Sequence, residues 1–244
     1  MALPATASLP QNGSIVSRWL LDEANGTRYD TVGSNDLTDN NTVLTGTGPY
    51  GDTCADFETS LSEYLSITDG AQSGLDLQDF TFAAWLNIEA APGIYAIMGK
   101  ATNDQYRLFY RATTKLQADI WNGGSESEVE DTTDLGTATW VHVVLTWDVS
   151  TPKGEMYVDG ATIGATTTKT AATSISNESG AFALGAQAGA TTYDGMMQDA
   201  IIWNIELSSA EVSSLYAAYS ASGVGLVNIE RSPLRGAHRG IMRP

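Results

Sequence analysis

Asp194-Gly195-Met196-Met197-Gln198-Asp199-Ala200-Ile201-Ile202-Trp203-Asn204-Ile205-Glu206-Leu207-Ser208-Ser209-Ala210-Glu211-Val212-Ser213-Ser214-Leu215-Tyr216 reads as a glycine turn, an alternating strand and a short capped helix. Ser208 and Glu211 have the spacing of a capping box, and Leu207 and Val212 that of a hydrophobic staple. Val212, Leu215, Tyr216 and Tyr219 then recur at helical spacing, and Gly223 supplies a stop. A helix this short, apolar on one side, is expected to pack on the edge of a sheet.

Working outward, the rest of the chain reads as strands. Phe80, Phe82, Ala84, Leu86 and Ile88 alternate with Thr81, Ala83, Trp85 and Asn87, which gives one solidly apolar face and one mixed face. Val141, Val143, Leu145 and Trp147 form a second such row, with His142, Val144, Thr146 and Asp148 on its reverse. Tyr106, Leu108 and Tyr110 alternate with Arg107, Phe109 and Arg111, and a Thr-Thr-Lys turn leads to Leu116, Ala118 and Ile120. Asp159-Gly160 is the clearest hairpin signal, because a type I′ turn needs φ > 0 at both central positions. In that register Met156, Val158, Ala161 and Ile163 share one face. Trp19, Trp85, Trp140, Trp147 and Trp203 are expected in the core.

These marks resemble the laminin-G-like branch of the concanavalin A-like jelly rolls. The resemblance rests on the stretch above and, in order, on Phe57-Glu58, Glu63-Tyr64-Leu65-Ser66-Ile67, Asp79-Phe80-Thr81-Phe82-Ala83-Ala84-Trp85, Thr139 to Asp148 and Met156-Tyr157-Val158-Asp159-Gly160. It covers roughly residues 15 to 220 and implies an all-β, two-sheet antiparallel jelly-roll sandwich with one short C-terminal helix. The expected organisation is an N-terminal linker over 1–14, the sandwich over 15–225 and an extended basic arm over 226–244. This sandwich hosts lectins, adhesins, glycosidases and structural modules, so fold alone does not name a function.

Charge narrows the partners. The chain carries −17 overall; Arg231, Arg235, Arg239 and Arg243 against Glu230 give the arm +3, which leaves −20 for residues 1–225. Such a body repels nucleic acid phosphates and anionic lipid, so neither is an expected partner. Cys54 is the single cysteine, so no intrachain disulfide forms and a buried, inert thiol is expected. The first residues lack a basic n-region and an apolar h-region, which argues against Sec-type export, and no run approaches membrane-spanning length. Pro233, Gly236, Gly240 and Pro244 keep the arm extended, so it is expected to dock on a larger protein assembly or on a neighbouring subunit. The expectation is a homo-oligomeric display or attachment protein at the surface of a virion, phage particle or other extracellular assembly, with a soluble lectin as the rival.

Sugar binding needs an exposed aromatic beside amide or carboxylate groups, because a pyranose stacks its apolar face and hydrogen-bonds its hydroxyls. Trp121 with Asn122, and Tyr193 with Asp194, stand beside glycine loops and are the candidates for cell-surface glycans. The family resemblance also implies a structural calcium ion between the first loop and the last strand, which here points to Asp30, Asn35 and Asp199, with carbonyls of Val32 and Gly33. Gln198 departs from that pattern, standing where relatives often carry another aspartate. Glu126, Glu128 and Glu130 alternate suggestively, as a glycosidase pair would, but lack apolar flanks that would raise a pKa. They are expected to form a solvated charged strand, and the protein is expected not to be an enzyme. His142 lies in a Trp-Val-His-Val segment where the family histidine packs and hydrogen-bonds; His238 in the arm has no assigned role.

Overall fold

The computed structural model describes residues 3–89, 93–100, 105–111, 115–131, 134–164, 166–170, 172–187 and 191–221. The arm expected over 226–244 lies outside them. In chain order the strands are β1 (Ile15–Trp19), β2 (Thr38–Asn40), β3 (Leu44–Thr47), β4 (Thr53–Phe57), β5 (Tyr64–Ile67), β6 (Phe80–Ile88), β7 (Tyr95–Lys100) and β8 (Tyr106–Arg111). They continue with β9 (Lys115–Asn122), β10 (Ser125–Glu130), β11 (Trp140–Asp148), β12 (Lys153–Val158), β13 (Ala161–Thr162), β14 (Thr166–Thr170), β15 (Phe182–Leu184) and β16 (Gly195–Trp203), and helix α1 (Ser209–Ala221) follows. All register pairs are antiparallel, in two sheets ordered β13-β12-β11-β6-β16-β4-β3, with β1 also on β16, and β14-β10-β9-β8-β7-β15-β5-β2.

The period-2 rows decide which side faces in. Phe80, Phe82, Ala84, Leu86 and Ile88 of β6 join Val141, Val143, Leu145 and Trp147 of β11 in the cluster between the sheets. From the second sheet Tyr106, Leu108, Tyr110, Leu116, Ala118 and Ile120 close it. Asp159 and Gly160 take φ of 51° and 78° at the predicted two-residue hairpin, and Val158 pairs with Ala161. Met156, Val158 and Ile163 reach the inner cluster, although Ala161 itself is exposed. Gly160 is also a close-packing position, since a Cβ there would lie 2.8 Å from Tyr216 Cβ on α1.

The outer face of the first sheet is covered. Ser208 caps α1 as expected, its backbone N–H and hydroxyl both donating to Glu211 at 2.8 and 2.7 Å. Val212, Leu215 and Tyr219 then bury against Trp85, Val144, Ile201 and Trp203. The segment expected as an N-terminal linker also packs here: Leu9 is buried in the same cluster and the Pro10 carbonyl accepts the Trp203 indole N–H at 3.0 Å. The five tryptophans expected in the core are all buried, and Cys54 is a buried free thiol.

Candidate functional site

The second sheet keeps an outer face of different character. Along β8 and β9 the residues between the core rows point away from the core: Arg107, Phe109 and Arg111, then Lys115, Gln117, Asp119 and Trp121. Register places Arg107 opposite Asp119, Phe109 opposite Gln117, Asp119 opposite Glu128 and Trp121 opposite Glu126. The Gly123-Gly124 turn, with φ of 54° and 93°, is what folds β10 back in this register. Phe109, Gln117 and Asp119 form a buried floor, and Arg107, Trp121, Glu126, Glu128 and Glu130 stand half-buried around it.

Arg107 organises the floor. Its Nε and Nη2 donate to Asp119 Oδ2 at 2.8 and 2.6 Å, and its Nη1 to Gln187 Oε1 at 2.7 Å. The guanidinium carbon lies 4.6 Å from the centroid of the Phe109 ring and 4.8 Å from that of Trp121. Gly99 on the neighbouring strand makes room, because a Cβ there would lie 3.3 Å from Arg107 Cβ. Asp119 also accepts the Gln117 amide at 2.7 Å. Burial pushes the Asp119 carboxyl up from its ordinary pKa, against the pull of Gln117 and Arg107, with the charge of Glu126 adding to the rise.

The sequence-based candidates fare differently. Trp121 is half-buried rather than fully exposed, its strand end pinned by Asn122 Nδ2 on Ser174 Oγ at 2.7 Å and by Ser176 N–H on the Trp121 carbonyl at 3.0 Å. Tyr193 is not an exposed platform. It is buried edge-on against Phe57 and Tyr110, with its hydroxyl donating to the Met196 carbonyl, while Asp194 accepts the Thr59 backbone N–H at 3.1 Å. The three glutamates are half-buried rather than fully solvated. Inward Ser127 and Val129 anchor their strand, and carboxylate oxygens of Asp119, Glu126 and Glu128 lie within 4.8 Å of one another.

Asp30, Asn35 and Asp199 do not fit a shared calcium ion, because protein donors occupy their oxygens. Asp199 sits at a β-bulge with φ 50°, and both its oxygens accept from Arg18, at 2.7 and 2.8 Å, while Tyr219 donates to one of them at 2.7 Å. Asp30 accepts the backbone N–H groups of Arg18, Val32, Gly33 and Asn35, and Asn35 Oδ1 accepts that of Ser73. A cleft of about 510 Å³ borders Arg18 under Leu3–Thr6, but its guanidinium is also held by Thr6 Oγ1 and the Pro4 carbonyl. His142 is buried beneath α1 among Trp85, Tyr216 and Tyr219, and neither ring nitrogen has a partner among the described residues, so the expected hydrogen bond is not made.

Residues 59–213 match the family model of the Concanavalin A-like lectin/glucanases superfamily. The chain belongs to that family. No curated protein sequence matches it. Among solved structures, this superfamily member resembles domain 4 of AbnA, an extracellular arabinanase from Geobacillus stearothermophilus solved with arabinotriose, at 14% identity and a TM-score of 0.63, covering 83% of this chain and 98% of that one. It also resembles the binding domain of Paraclostridial Mosquitocidal Protein 1 (12% identity, TM-score 0.69, 85% of this chain and 52% of that one). A third likeness is Trypanosoma rangeli sialidase with a difluorosialic acid (17% identity, TM-score 0.62, 89% of this chain and 34% of that one). At such identities the likeness is one of fold, and the chain spans about half or less of the last two. No described helix is long and apolar enough to cross a membrane.

Arg107, Gln117 and Asp119 are the residues that reading the sequence missed. Arg107 and Asp119 are twelve positions apart on strands that each look ordinary, and only the β8–β9 register makes them a pair. A usable signal was present: two adjacent strands both placing charged and aromatic residues on the face away from the core.

Proposed function

We propose that the protein is a non-catalytic carbohydrate-binding attachment module whose ligand lies across the outer face of the second sheet. The observation that carries this is Trp121, a half-exposed indole at a strand end, with the Arg107 guanidinium 4.8 Å from its ring and Asp119, Glu126 and Glu128 beside it. An aromatic surface flanked by fixed acceptors suits a pyranose, which stacks its apolar face while its hydroxyls donate. The neighbouring structure solved with arabinotriose supports the same ligand class by analogy of fold alone.

The test is binding of the intact chain to a panel of immobilised oligosaccharides. Trp121→Ala is expected to weaken binding by about tenfold or more, in line with loss of one stacked aromatic, while Tyr193→Phe leaves affinity unchanged. Binding that Trp121→Ala does not alter would put the ligand elsewhere. Hydrolysis of a polysaccharide, abolished by Glu126→Gln with Glu128→Gln, would move the reading to a glycoside hydrolase.

Attachment is the finer part of the proposal: a homo-oligomeric module on the exterior of a virus, phage or comparable assembly, held by Arg231, Arg235, Arg239 and Arg243. Its support is the charge contrast between an acidic body and a basic C-terminal segment. Deletion after Gly225 is expected to leave the melting temperature unchanged and to abolish incorporation into the assembly. Normal incorporation of the truncated chain would end the tether reading.

A further inference from the structure

The family resemblance implies a cation between the first loop and the last strand, and at that junction this chain has a cation of its own. Arg18 of β1 is 2% exposed, and its partner Asp199, at the β16 bulge, is fully buried. The fork of the guanidinium closes on both Asp199 oxygens, and Tyr219 of α1 donates to the same carboxylate. Its other contacts are Thr6 Oγ1 at 2.9 Å and the Pro4 carbonyl at 2.8 Å, in the N-terminal segment. The Arg18 backbone holds the loop: its N–H donates to Asp30 Oδ1 at 3.0 Å, and its carbonyl accepts the Thr31 N–H and hydroxyl at 2.8 and 2.9 Å. One residue thus joins the N-terminal segment, the first loop, β16 and α1. A metal ion on Asp199 and this guanidinium exclude each other. Calcium takes roughly six to eight oxygens, whereas both Asp199 oxygens already accept, and a guanidinium tied on its far side cannot retreat from a dication. Burial disfavours the charge on Arg18, but the hydrogen bonds and charge of Asp199 outweigh it and raise the pKa.

We propose that Arg18 takes the place of a structural calcium ion: the chain supplies from within the positive charge that joins its first loop to its last strand, and the sandwich closes without metal. The proposal stands apart from the glycan reading, since this junction belongs to the first sheet and Trp121 to the second. It also makes the two cations exchangeable. With the guanidinium gone, Asp199 is a buried carboxylate without a counter-charge, a costly state that a bound cation relieves. The cleft that Arg18 now borders is also lined by Asp22, Thr31 and Asp52, and hard oxygens of this kind are what calcium selects.

Melting temperatures of the full chain test it. For the unmodified chain, saturating calcium and excess chelator are expected to give the same value. Arg18→Ala is expected to melt about 10 °C lower in chelator, as for loss of one partner of a buried ion pair, and to regain several degrees in millimolar calcium. Adding Asp199→Asn to Arg18→Ala is expected to abolish that regain. Arg18→Lys, which keeps a charge without the fork, is expected to melt between the unmodified chain and Arg18→Ala and not to respond to calcium. A chelator-induced drop in the unmodified chain overturns the proposal. So does an Arg18→Ala chain that calcium neither stabilises nor, if chelator leaves it unfolded, folds. A calcium response that survives Asp199→Asn overturns the shared place of the two cations.

Discussion

The two outer faces of the sandwich are built by the same alternation and put to opposite uses. On the first sheet the residues facing away from the core are Trp85, His142, Val144, Ile201 and Trp203, and α1 with the N-terminal segment covers them. On the second sheet they are Arg107, Gln117, Asp119, Trp121 and the glutamates of β10, and no helix lies on them among the described residues. An apolar outer face must be covered, and whatever covers it closes it to ligands. A polar outer face can stay open, and an open face with a half-exposed indole is where a ligand can reach side chains already held in place.

If the covered face is structural, breaking its buried ion pair should be among the largest stability changes. Asp199→Ala leaves the Arg18 guanidinium buried and uncompensated and frees the Tyr219 hydroxyl, so a loss of about 3–5 kcal/mol is expected by chemical denaturation. Because Asp199 binds Arg18, that loss should be the same with calcium or with chelator; a calcium-dependent loss would restore the metal reading of this residue. Trp147→Ala, which hollows the inner core, is expected to cost about 3–5 kcal/mol as well, against well under that for Trp121→Ala on the open face. Equal losses at the two tryptophans would erase the distinction between the faces.

Acid should act on the covered face next. Burial with no hydrogen-bond partner lowers the His142 pKa to about 3. The unfolded chain therefore binds a proton that the folded one refuses, and stability is full above the ordinary histidine value near 6.5 and falls as pH drops from there toward 3. The slope from this one group approaches about 1.4 kcal/mol per pH unit. Glu63 works in the opposite sense. Burial raises its pKa to about 7, so its stabilising share is complete below about 4.3 and is lost as pH rises through 7. Melting temperatures of His142→Phe should lose the decline below about pH 6.5, and those of Glu63→Gln the decline as pH rises from about 4.3 to 7; profiles identical to the parent chain would contradict both assignments. The smallest effect belongs to the open face: exchanging Glu126, Glu128 and Glu130 together for Gln should change stability by less than about 1 kcal/mol.

Much of this was legible in the sequence, and the reasons differ by element. The rows of β6 and β11, the Asp159-Gly160 hairpin and the Ser208 cap are local patterns, complete within a few residues, and the structure reproduces them. Tyr193 misled because a glycine-rich surrounding looks like an exposed loop, whereas contact with Phe57 and Tyr110, distant in sequence, buries it. Asp199 misled in a similar way, since its partner Arg18 lies 181 positions away and only the β1–β16 pairing joins them. Glu126 and Glu128 seemed solvated because Asp119 and Arg107, which shape their surroundings, belong to other strands. Local order was readable, and the chemistry of the open face came from register.

The most direct test of the account follows the six indole N–H resonances of the intact protein while a neutral oligosaccharide is titrated in. Trp121 alone is expected to move, saturably, while the five buried indoles stay in place. Shifts at Trp85 or Trp203 with Trp121 still, or a saturable ligand that moves none of the six, would contradict it.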